Sequence, residues 1–167
     1  MRYIVAALAL GLVAAFQASF FSRVALGGAA PQLVLLSVVA WSLARGPVEG
    51  IFWGFVGGLL YDFASGGPVG VSALAMVAVA TVAGSFGRRM FGTNPLLPML
   101  TVFASTVVYF VIVSFLLATL HYPTEWLAVM TDVALPAAIA NSLLGLLICP
   151  LFLFVATHTS RQVRVEF

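Results

Sequence analysis

No lysine occurs in this chain, and charge of either sign is scarce. Seven arginines stand against five acids, and charged residues make up 7% of the 167. A soluble domain carries roughly 25% charged residues, because its surface has to be hydrated. That shortage excludes a water-exposed globular surface. The arginines stand singly or in pairs, so there is no basic patch for nucleic acid. The one cysteine, Cys149, has no partner for an intrachain disulfide, and its setting in LLICPLFLF offers no second thiol or nearby histidine for a metal. It reads as a small buried hydrophobe. Only two histidines are present, His121 and His158. The chain has no H-E-x-x-H, no G-x-S-x-G and no phosphate-binding loop, so no enzyme class is signalled and no cofactor is implied.

What remains is apolar. Hydrophobic residues make up 63% of the chain, with a mean hydropathy of +1.17. A helix needs about 20 mostly apolar residues to cross the hydrocarbon of a bilayer. The pattern predicts an all-α integral membrane protein, a single transmembrane domain over 1–167. Its six spans are expected at about 3–21, 25–44, 49–64, 68–87, 95–120 and 136–157. Pro31 falls in the first half of the second span. Thr124, Glu125, Trp126 and Asp132 point to an interfacial helix over 124–135, with Pro136 marking the bend into the last span, although one long tilted helix also fits. Arg2 before an apolar run is also a signal-peptide pattern, but the run is long for one and no A-x-A site follows.

Arginine placement orients the spans. With the N-terminus in the cytoplasm, Arg2, Arg45, Arg88, Arg89, Arg161 and Arg164 face inward and only Arg23 faces outward. Both termini are then cytoplasmic. Tyr122 and Trp126 join an outer aromatic belt, and Trp41 lies toward the inner one. His121 and His158 fall near opposite faces, too far apart to share a metal.

Membrane helices associate through close packing and hydrogen bonds, and small residues permit the closeness. Gly50, Gly54 and Gly58 follow one another at i, i+4 and i+8 on the third span, and Ala7, Gly11, Ala14 and Ala18 share a face of the first. Such stripes serve packing within the bundle or the docking of another protein's helix, the first span being the more peripheral. Asn141, which cannot satisfy itself, is expected to bond to a neighbouring helix.

One acid interrupts the third span. In GGLLYDFASGGPVG, Asp62 is followed by a turn of Gly66, Gly67 and Pro68. The placement puts it near the outer end of the span, at a depth similar to that of Asp132. Several roles stand open: capping the turn through backbone N–H groups around Gly66 and Gly67, pairing with an arginine such as Arg23, ion coupling, or catalysis with Asp132. Catalysis of the intramembrane aspartyl type needs a glycine-rich setting around the second acid. Val129, Met130 and Thr131 precede Asp132 instead.

The segment Gly54-Phe-Val-Gly-Gly58-Leu-Leu-Tyr-Asp62-Phe-Ala-Ser-Gly66-Gly67-Pro68-Val-Gly70-Val-Ser-Ala73-Leu74 resembles the signature of the rod shape-determining protein MreD family. Length, the six spans and a short basic tail are similar as well. The resemblance implies a non-catalytic inner-membrane component of the bacterial cell-elongation machinery. It would bind MreC, a bitopic protein, and through it reach peptidoglycan synthases and the MreB filament, with self-association left open. Gly54, Gly58, Asp62, Gly66, Gly67, Pro68 and Gly70 would serve as structural or partner-binding residues. The family is similar in fold to the substrate-binding subunits of energy-coupling-factor transporters. The alternative is therefore a vitamin-type transport subunit, for which Tyr61, Asp62, His121, Tyr122, Trp126 and Asp132 would line an outer site.

Overall fold

The computed structural model describes residues 2–20, 31–86 and 96–160. Arg23, Arg88, Arg89, Arg161, Arg164, Pro95 and the expected start of the second span at 25–30 lie outside that set. Among the described residues all regular structure is helical: α1 (Arg2–Phe20), α2 (Leu33–Arg45), α3 (Pro47–Ser65), α4 (Val71–Phe86), α5 (Leu96–Thr119) and a last helix, α6. Three consecutive stretches make up α6: α-helical Trp126–Ala128, π-helical Val129–Ala134 and α-helical Leu135–Ser160. Among the described residues, two helical stretches are long and apolar enough to cross a membrane, Leu96–Thr119 and Trp126–Phe152, and the apolar stretches of α1, α2 and α4 are shorter.

Among the described residues, the helix of the second span begins at Leu33. Pro31 lies before the helix, Gln32 takes the N-cap position, and α2 has 13 residues. At 1.5 Å per residue it measures about 20 Å, less than the roughly 30 Å of hydrocarbon. A proline has no N–H to give to a preceding turn and pushes the residue before it out of the α region, so a helix starts after it more readily than it runs through it. The buried residues of α2 include Val34, Leu35, Leu36, Val38, Val39, Ala40, Leu43 and Ala44. A helix apolar all round belongs in the core, and α1, α3, α4 and α6 surround this one.

At Pro136 the helix does not end, in keeping with the one long helix that the sequence left open. Helix α6 continues through it, because the preceding turns widen: the Leu135 N–H bonds to Met130 O, five residues back. Pro136 cannot donate to the Asp132 carbonyl, and the π stretch absorbs that mismatch without ending the helix.

Glycines set the closest helix approaches. Around α3, a side chain at Gly58 would fall on the Ala73 backbone, and one at Gly54 would lie 3.0 Å from Met76 O, so both face α4. Gly50 faces Ser42 of α2 instead, and Gly57 faces Leu10 and Val34. The expected single groove is therefore divided between two neighbours, and both are within the chain. On α1, Ala14 is buried and Gly11 packs on Leu60, while Leu8, Leu12 and Phe16 point outward.

Candidate functional site

The turn between α3 and α4 is built on two glycines with positive φ, Gly66 at 70° and Gly70 at 100°. Residues with a Cβ are disfavoured there. Gly66 closes α3 in the left-handed conformation, its N–H bonding to Asp62 O at 3.1 Å, and Ser65 Oγ donates to the same carbonyl at 3.3 Å. Gly67 has no such constraint, since a side chain there meets only Ser65 Oγ at 3.6 Å.

The Asp62 side chain turns away from Gly66 and Gly67 and caps the next helix. Its Oδ2 accepts from Gly70 N at 2.8 Å and from Ala73 N at 3.4 Å, and its Oδ1 accepts from Ser72 N at 3.1 Å. The first N–H groups of a helix have no partner within it. Here Val71 N bonds to Pro68 O at 3.4 Å and Leu74 N to Gly70 O at 2.9 Å, so with Asp62 every amide from Gly70 to Leu74 is satisfied. An acid at a helix N-terminus also meets the positive end of the helix dipole. Asp62 is 2% exposed, and these contacts are what make its burial tolerable.

The surroundings of the acid extend to α5. Ser72, bonded to Asp62 through its amide, accepts at Oγ from the Tyr109 hydroxyl at 3.0 Å. Asp132 is exposed on the π stretch, where Thr131 Oγ1 donates to it at 2.8 Å. The two acids are thus in different surroundings.

A second cap of the same kind lies across the bundle. The N-terminus of α2 is inside the protein, where its amides cannot turn to water. Asn141 Oδ1 accepts from Gln32 N at 2.8 Å, and Gln17 Oε1 accepts from Val34 N at 2.9 Å. Asn141 also donates to Thr106 Oγ1 at 3.2 Å, which makes it the interhelical link expected of it. The Gln17 side chain also lies beside Tyr61. Gln17 as a cap escaped the sequence reading. Its signal was Pro31, since a helix that starts inside an apolar span needs polar side chains from its neighbours.

The residues proposed for an outer ligand site divide. Asp62 has both oxygens on backbone amides and Tyr61 is half-buried against Gln17, whereas His121, Tyr122, Trp126 and Asp132 are exposed. Two apolar clefts lie elsewhere. One is lined by Leu10, Val13, Ser37, Val38, Trp41, Trp53 and Phe152, the other by residues of α4 and α5.

No curated protein and no solved structure matches the chain. A family model does, that of the rod shape-determining protein MreD, over residues 1–158. That stretch contains both capped helix termini, the glycine contacts of α3 and every described helix up to the last turn of α6, so the chain belongs to the MreD family of rod shape-determining membrane proteins.

Proposed function

We propose that the protein is a non-catalytic scaffold of the bacterial cell-elongation complex, crossing the inner membrane six times with both termini in the cytoplasm. It binds an MreC-like bitopic protein and through it reaches the peptidoglycan synthases and the MreB filament. A fold like that of energy-coupling-factor substrate-binding subunits belongs to this reading. The observation that carries it is the family match, which spans nearly the whole chain. The commitment of Asp62 to three backbone amides supports it, because an acid with both oxygens on backbone amides holds a turn in place. On this reading Asp62, Gly66, Gly67, Pro68 and Gly70 shape the surface a partner contacts, while Gly54 and Gly58 hold α3 to α4 beneath it.

The test is gentle detergent purification of the tagged protein from native membranes, with mass spectrometry of co-purifying proteins and small molecules. An MreC-like protein with cell-wall synthases is the expected result. Recovery of ATPase and coupling subunits, or of a stoichiometric vitamin, would replace the scaffold with the transport subunit.

A further inference from the structure

The apolar cleft between α1, α2, α3 and α6 ends beside a cation. Its floor is a stripe of α2, Ser37, Val38 and Trp41, walled by Leu10 and Val13 of α1, Trp53 of α3 and Phe152 of α6. Arg45 continues the stripe one turn beyond Trp41, with its guanidinium carbon 5.5 Å from the Trp41 ring centroid. Trp41 also meets Phe152 edge-on at 6.2 Å. Arginine, tryptophan and phenylalanine thus form a ladder leading from the helix end into the cleft. On the floor, Ser37 donates its hydroxyl to Leu33 O at 2.8 Å and Trp41 Nε1 donates to Glu49, so the cleft is mainly apolar.

Arg45 and Glu49 make only a long ion pair. Glu49 accepts from Trp41 Nε1 at 3.1 Å with one oxygen, and its other oxygen lies 4.0 Å from Arg45 Nη1, the limit of an ion pair. A guanidinium has five donors in a planar fork, and among the described residues the buried Arg45 Nε has no hydrogen-bond partner, so the fork retains donors for another anion.

We infer that the cleft with Arg45 is a binding site for one anionic phospholipid, an acyl chain lying along Trp41 and the phosphate meeting Arg45. The inference rests on the membrane placement of the bundle and not on the partner reading. Cleft size selects the occupant. Its volume is about 180 Å³, slightly more than the roughly 150 Å³ of an engineered cavity that holds one benzene. That space admits part of a hydrocarbon chain. A partner helix, 10–12 Å across with its side chains, does not fit it.

The test is native mass spectrometry of the purified full chain, equilibrated with phosphatidylglycerol and phosphatidylethanolamine of matched chains. The wild type is expected to retain one phosphatidylglycerol about fivefold more than phosphatidylethanolamine, the increment of a single arginine at an anionic surface. Arg45→Gln should remove the preference and keep the fold, since Arg45 lies at a helix end. Val13→Trp, which fills the cleft from α1 and leaves Arg45 in place, should lower retention of both lipids. Equal retention of the two lipids by the wild type would overturn the proposal. So would an unchanged preference in Arg45→Gln, or full retention in Val13→Trp. If inorganic phosphate at millimolar concentration raises the thermal stability as much as the lipid does, the site is an anion site and the lipid assignment fails.

Discussion

Replacing Asp62 tests the central claim about the α3–α4 turn. Asp62→Ala leaves the amides of Gly70, Ser72 and Ala73 without the acceptors at 2.8, 3.1 and 3.4 Å. A buried donor that loses its partner costs about 1–3 kcal/mol. The two shorter bonds count in full and the 3.4 Å contact for less, so the loss should be about 3–5 kcal/mol. Against a typical stability of roughly 5–15 kcal/mol this is a large share. Asp62→Asn keeps one acceptor oxygen, which can serve Gly70 and Ala73, but turns an NH2 toward Ser72 N. Its cost should be about 1–2 kcal/mol, one orphaned donor. The assay is equilibrium unfolding from mild mixed micelles by a denaturing detergent, followed by the fluorescence of the tryptophans, among which Trp53 is buried. An alanine variant within about 0.5 kcal/mol of the wild type, the usual range for an inconsequential surface change, would refute the cap. So would an asparagine variant as damaged as the alanine one.

Gly58→Ala should cost about 1–3 kcal/mol, because the new methyl falls on the Ala73 backbone and forces α3 from α4, while Gly67→Ala should stay near neutral in the same unfolding assay. Asn141→Leu should cost about 1–3 kcal/mol by orphaning the buried Gln32 amide, and Thr106→Val, which removes only the side-chain link, should cost less. His121 holds a φ of 61° just after α5, and a non-glycine residue in that conformation is strained by about 1–2 kcal/mol, so His121→Gly is expected to raise the unfolding midpoint. A reporter fused after Ser65 should read as extracytoplasmic and one after Arg89 as cytoplasmic, and the reverse pattern would invert the proposed topology.

The helical class was legible because lipid is a severe solvent. A chain with 7% charge has too little polar surface for water, so the composition pointed to apolar helices, and α3, α4 and α5 begin and end within three residues of the expected bounds. Asp62 was legible as an acid needing donors, for the same reason. Which donors it found was not. The sequence pointed to Gly66 and Gly67, its nearest neighbours, whereas the bonds go to Gly70, Ser72 and Ala73, eight to eleven residues on, at the start of a different helix. That choice depends on how α3 and α4 cross, and Gly54 and Gly58 set the crossing through contacts made in space. Likewise the sequence contained Pro31, Gln17 and Asn141 as three unrelated exceptions in apolar runs. Packing showed that one lies just before a helix start and the other two satisfy the amides of that start. Local chemistry determines which groups must be satisfied, and the sequence carries that in full. The partner that satisfies each of them is a matter of which helices meet at which depth, and only the tertiary structure decides it.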